Sequence, residues 1–180
     1  LAGKVAQFLE RVGYNVELSS VERGAYHCSV RYPGLLYQLG PSPVHQEKIL
    51  IQIDTVSQGY DYQPDLRFLN KFDVFTRVRV TPLPLLLSQK IFTAVNRKRA
   101  KGRDFYDIIF LLSQTKPDFE FIKAKMDISS PEHLRQVMLE KLTDVDFEAL
   151  ARDVAPFLIT PENTRRVVLF REFWEQAELA

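Results

Sequence analysis

The chain has 180 residues, of which 46% are hydrophobic and 26% charged, with a formal net charge of +1. That is enough apolar material to bury a core in one domain or one and a half, and too little excess charge for a polyanion to be recognised except at a local patch. A single cysteine, Cys28, excludes a disulfide framework and a cysteine-ligated zinc site, while His27, His45 and His133 lack ligand spacing and no apolar run reaches membrane-span length, so the chain is expected to be a cytoplasmic protein without a membrane partner.

In chain order, Val5, Phe8, Leu9 and Val12 recur at helical spacing and predict an amphipathic helix over 4–12, stopped by Gly13. Four strands are expected next, over Tyr14 to Ser19, Ala25 to Arg31, Ile49 to Thr55 and Phe72 to Val80. The prolines of Gly40-Pro41-Ser42-Pro43 and the loop from Ser57 to Asp65 separate them. In the third strand Ile49, Ile51 and Ile53 share one face, and Leu50, Gln52 and Asp54 share the other. From Thr81 onward the pattern is helical, with cap-then-proline starts at Thr81-Pro82, Ser130-Pro131 and Thr160-Pro161. Trp174, with Val167, Phe170 and Arg171 at helical spacing, reads as core packing. Strands first and helices later predict an α+β fold, a mixed sheet in residues 1–81 packed on a helical bundle in residues 82–180, with a ligand cleft where the two halves meet.

One segment resists explanation by packing alone. Leu83, Leu86, Leu87, Lys90, Ala94 and Arg97 fall near one helical face, which sets Lys90 among apolar neighbours. Such a lysine either snorkels to water along its stem or meets an anion. A basic loop follows, in which Arg97, Lys98, Arg99 and Lys101 read equally as a solvated surface or as contacts to phosphate, and Arg103 adds a fifth cation. A second helix then carries Phe105, Ile108, Ile109 and Leu112 as a core stripe, with Asp104 and Asp107 on another face. Arg103 and Asp107, four residues apart, have the spacing of a surface ion pair.

Leu86, Lys90, Ala94 and Arg97, followed by Arg103-Asp104-Phe105-Tyr106-Asp107-Ile108 and an apolar tail, resemble the third motif of the AbiEii family of nucleotidyltransferase toxins. The resemblance implies a fold of the polymerase-beta nucleotidyltransferase type. It also implies transfer of a nucleotidyl group from an NTP to an acceptor such as tRNA, with Mg²⁺ as cofactor and a cognate antitoxin as partner in a type IV toxin–antitoxin pair. It makes Asp54 the acidic residue of the second motif, a metal ligand or base, and it places Lys90 and Asp107 with Asp54 in the catalytic set. Lys90, Arg97, Arg99, Arg103 and Asp104 become the nucleotide- and phosphate-binding residues. Asp104 and Asp107 have three roles open to them: orienting Lys90 and Arg103, approaching the metal, or binding the nucleotide.

The family's first motif, a Gly-Gly/Ser turn followed by Asp-x-Asp on a strand, does not occur between Leu1 and Ala180. Asp144 and Asp146 have the spacing but sit in a region expected to be helical, and Asp61 and Asp65 lie in the proline-bearing loop. The chain opens at Leu1 inside a helical pattern without a methionine, so the first motif is expected upstream and the chain alone is expected to be a truncated, inactive part of the enzyme. The alternative is a catalytically inactive relative or remnant that binds a nucleotide, RNA or protein through the surface from Lys90 to Asp107.

Overall fold

The computed structural model describes residues 2–180 and is a mixed α+β structure. It divides into two compact units, Leu1–Asp61 and Tyr62–Ala180.

The first unit is a small sheet with two helices. Helix α1 (Ala2–Arg11) ends where Gly13, at φ +93°, lets its own N–H reach Glu10 O and the Tyr14 N–H reach Leu9 O, the paired bonds that close a helix on a left-handed glycine. This closure uses the backbone of residues 13 and 14, so the first strand starts later than the apolar pattern suggested. Strands β1 (Glu17–Glu22), β2 (Tyr26–Pro33) and β3 (Lys48–Thr55) form an antiparallel sheet in that order. A short helix α2 (Leu35–Gln38) lies between β2 and β3.

Registers Leu18↔Val30↔Ile51 and Ser20↔Cys28↔Ile53 set the apolar residues of the sheet on one face, where Cys28 and Val30 are fully buried. The opposite face is mostly polar, with Val21 and Leu50 exposed on it. Lys48 reaches across it to the Glu17 carboxylate at 2.7 Å, and Arg31 donates to Ser19 Oγ at 3.1 Å. Alternation along each strand produces this division.

The second unit opens with a strand that the sequence pattern hid. Residues 65–71, of which Asp65 was expected to end a loop and the rest carried no expected element, form β4 (Asp65–Lys71), which pairs with β5 (Val74–Val80) in an antiparallel hairpin. Apolar residues stand on both faces of β4, so its alternation is blurred, and Pro64 immediately precedes it. Phe72 and Asp73 make the two-residue turn, with Phe72 at φ +52°.

Helices α3 (Leu83–Asn96), α4 (Gly102–Leu112), α5 (Phe119–Met126), α6 (Pro131–Lys141) and α7 (Phe147–Val154) follow, then the short α8 (Arg165–Val168) and α9 (Phe170–Gln176). Of the three expected proline starts, Ser130 is a true cap, accepting the His133 N–H. At the other two, Pro82 itself holds the cap position of α3 and Pro161 begins a 3₁₀ turn, with no side-chain cap at either. Asp118 and Asp146 cap α5 and α7. Asp146 is therefore in a turn before a helix rather than inside one, and its carboxylate is already bonded to the Ala149 N–H.

The core sits among these helices. Phe105, Phe170 and Trp174 are buried, with Phe105 and Phe170 ring centroids 4.7 Å apart and Phe170 and Trp174 5.9 Å apart, and burying such rings contributes on the order of 2–3 kcal/mol each. Arg135 ties α6 to the end of the chain by donating to the carbonyls of Trp174 and Ala177. Buried Ser88 on α3 accepts the Asp118 N–H at 2.7 Å, with its hydroxyl 3.0 Å from Pro84 O, so the start of α5 is bonded to α3.

Gly102, the first residue of α4, lies against the backbone of α7. A Cβ there would stand 2.1 Å from Leu150 O, closer than any side chain tolerates. Gly102→Ala is therefore expected to lower stability by about 2–3 kcal/mol, because the α4–α7 contact must open to admit the methyl group. Equilibrium urea unfolding checks this, and an unchanged midpoint would show that the close approach does not exist in solution.

Candidate functional site

Helices α3 and α4 form an antiparallel hairpin whose loop, residues 97–101, is the basic segment. The apolar seam consists of Leu87, Ile91 and Ala94 on α3 and Phe105, Ile108 and Leu111 on α4, all buried. Leu111 takes the inward place expected for Ile109 and Leu112, a turn of about one residue around the helix.

Alongside this seam runs a ladder of charges. Arg97 donates to Asp104 Oδ2 at 2.7 Å, and Lys90 Nζ lies 2.6 Å from Asp107 Oδ2 and 3.9 Å from Asp104 Oδ1. Lys90 thus meets anions at the rim of its stripe, with 30% of its side chain exposed. Asp107 pairs with Lys90, whereas its spacing had suggested Arg103. The exposed Arg103 makes no ion pair among the described residues.

The two carboxylates differ in kind. Asp104 is 4% exposed and lies in the first turn of α4, where the helix dipole also favours a negative charge. Asp107 is 39% exposed, so water competes for it and its bond to Lys90 exchanges at little cost. Removing the cation of a buried pair leaves a charge with no compensation, which is far more costly than losing a surface pair.

The remaining cations of the segment are differently placed. Lys98 and Arg99 are exposed and Lys101 half-buried, and none of them pairs with a carboxylate among the described residues. They border a cavity of about 620 Å³ whose other side carries Asp144, Asp146 and Asp153. The expected phosphate-binding group is thereby split: Lys90 and Arg97 have counter-ions, and Arg99 and Arg103 do not.

Asp54 belongs to the first unit. It stands opposite His27 in the β2–β3 register on the polar face, and His27 Nδ1 lies 2.8 Å from Asp54 Oδ1, with both side chains about half exposed. His27 had looked like an isolated histidine. Its pairing depends on the strand register, which no local pattern of residues announces.

Lys90 on α3 and Arg97 just after its end are thus paired with two aspartates three residues apart on α4. The model of the AbiEii family, described as nucleotidyl transferase AbiEii toxin of type IV TA systems, matches residues 1–175. The chain belongs to this family. No curated protein and no solved structure matches it. Membership places the chain among the nucleotidyltransferase toxins of the type IV class in general, with an α+β architecture consistent with that fold. No helix among the described residues is long and apolar enough to cross a membrane.

The family resemblance implies Mg²⁺, which takes about six oxygen ligands in near-octahedral geometry. Among the described residues no three His, Cys, Asp or Glu side chains are grouped to hold an ion. Asp54 with His27 does not by itself fit magnesium. What the placed residues do offer is a lysine paired with a partly exposed aspartate, and the cations Lys98, Arg99 and Lys101, which pair with no carboxylate among the described residues.

The contrast between the two aspartates has a measurable consequence. Arg97→Met keeps the side-chain stem but strands the Asp104 carboxylate, and is expected to cost about 2 kcal/mol of stability, the partial exposure of Arg97 holding it below the full buried-pair value. Asp107→Asn is expected to cost less than about 1 kcal/mol. Chemical denaturation of both variants compares them, and equal costs would contradict the assignment of Asp104 as the structural member.

Proposed function

We propose that the protein transfers a nucleotidyl group from an NTP to the end of an RNA acceptor such as tRNA, acting in the cytoplasm opposite a cognate antitoxin. The observation that carries this reading is the Lys90–Asp107 pair beside the Arg97–Asp104 pair. Nucleotidyl transfer asks little covalent chemistry of a protein and much placed positive charge near the triphosphate. Lys90 supplies that charge from a packed helix. Asp107 holds the ammonium in position until a phosphate oxygen replaces the carboxylate, after which Asp107 is free to accept a hydrogen bond from the substrate. Asp104 keeps Arg97 and the end of α3 in place.

Arg99 and Arg103, without carboxylate partners, are assigned to the outer phosphates or to the RNA backbone. Asp54 is assigned the role of base or metal ligand, with His27 orienting its carboxylate through the 2.8 Å contact. Magnesium in this reading requires further carboxylates beside Asp54. A second reading rests on the same ladder: a lysine already matched by an aspartate at 2.6 Å also suits a family member that binds nucleotide, RNA or protein without transfer.

Labelling separates the two. The full-length gene product is incubated with radioactive NTPs, Mg²⁺ and total tRNA, and incorporation into RNA is followed. Lys90→Ala and Asp54→Ala are each expected to lower incorporation by about 100-fold or more, the scale of losing one preorganised electrostatic contact, with circular dichroism confirming the fold. Incorporation unchanged in both variants would reject these assignments, and none by the wild type would favour binding without transfer.

A further inference from the structure

The β4–β5 hairpin has two unlike faces. Val78 and Val80 stand half-buried on one, while Leu66, Phe68 and Asn70 on β4 and Phe75, Arg77 and Arg79 on β5 are all exposed on the other. On this outer face the Phe68 and Phe75 rings stack at 5.4 Å with an interplanar angle of 10°, and are 67% and 72% exposed. The register sets Arg77 opposite Phe68 and Arg79 opposite Leu66. No carboxylate shares the face, and neither arginine makes an ion pair among the described residues.

The tip adds an independent observation. Phe72 is 99% exposed and holds a left-handed backbone, φ +52°, where glycine or asparagine would be relaxed. A bulky residue that is both strained and without packing has no structural reason to be there, and such outliers concentrate at ligand-binding positions.

We infer that this outer face and tip form a docking surface for single-stranded RNA, with unstacked bases on Phe68, Phe75 and Phe72 and phosphates on Arg77 and Arg79. Aromatic rings provide stacking platforms for any base, and guanidinium groups provide sequence-independent backbone contacts. The charge decides the class of partner. A face that docks another protein strand by apolar contact gains nothing from two unpaired arginines directly across from its apolar residues, whereas a polyanion with flat bases uses both. A continuous duplex keeps its bases stacked inside and cannot use the rings. Asn70, beside Phe75 on the same face, offers an amide to a base edge.

This inference extends the acceptor side of the proposed function, but it concerns binding alone and is tested without NTP, so a failure to label RNA and a failure to bind it are separate results. Fluorescence anisotropy of the full-length gene product with a short fluorescein-labelled single-stranded RNA is compared with the same strand in a duplex. The single strand is expected to bind more tightly. Phe68→Leu with Phe75→Leu, which keeps an apolar surface but removes the rings, is expected to weaken it about tenfold or more. Arg77→Gln with Arg79→Gln is expected to flatten the dependence of log affinity on log salt by about 1.4, two single-strand phosphate contacts.

Sedimentation velocity accompanies each variant, and circular dichroism verifies the fold. The inference is overturned if the double phenylalanine variant binds like wild type, if duplex binds as well as the single strand, or if the variant instead converts a dimer to a monomer, which would make the face a contact between copies.

Discussion

The carboxylate of Asp104 is nearly closed off from water at the seam between α3 and α4, and the arrangement around it follows from that burial. A buried carboxylate persists only when matched by cations and hydrogen bonds. Arg97, just after α3, meets it at 2.7 Å and Lys90 of α3 approaches within 3.9 Å, so both basic side chains turn toward α4. Asp107, one turn further along α4, then finds Lys90 within reach. The packing of Leu87, Ile91 and Ala94 against Phe105, Ile108 and Leu111 supplies the larger stabilisation, but apolar contact alone tolerates sliding and rotation. The charged ladder adds directional contacts that match one register of the two helices.

In the proposed transfer reaction, the hairpin is what would place Lys90 at the phosphates. A lysine at the end of four rotatable bonds is a poor positioning device unless its stem is packed and its ammonium has a resting partner. Here the stem runs along an apolar helix, and the resting partner is an aspartate exposed enough to let go. Arg97 is engaged with the buried aspartate and therefore serves architecture first. The loop cations Lys98, Arg99 and Lys101 keep their charge available, because Gly102 brings the start of α4 directly against Leu150 of α7 and leaves the loop bordering an open cavity rather than folded into the core.

The sheet-bearing unit and the β4–β5 hairpin obey a different constraint. Their strands bury few side chains, and their organisation comes from alternation and cross-strand pairing. On the polar face of the three-stranded sheet this alternation joins Asp54 to His27 and Lys48 to Glu17. On the hairpin it collects phenylalanines and arginines on one exposed surface. An exposed, paired aromatic surface of this kind normally aggregates or binds something, and the unpaired arginines indicate which kind of partner suits it.

Local patterns were sufficient for the order of strands before helices, the helical stripes of α3 and α4, the cap at Ser130 and the burial of Trp174, since each depends on residues within a turn or two of one another. The resemblance to the AbiEii family also rests on local spacing from Lys90 to Asp107, and the family model matches residues 1–175. The pairing of Lys90 with Asp107 rather than Arg103 with Asp107 was not legible, because an interhelical contact at 2.6 Å outweighs a spacing that merely permits one. Strand β4 has no local signature because apolar residues on both faces erase its alternation. His27 acquired a partner, and Gly102 a reason to be glycine, only when distant segments met. By itself the sequence determined which side chains are available and on which face of their own element they stand. The tertiary structure decided which carboxylate is buried, which cations remain free and which faces are left open, because burial and pairing belong to packed elements and not to any one of them.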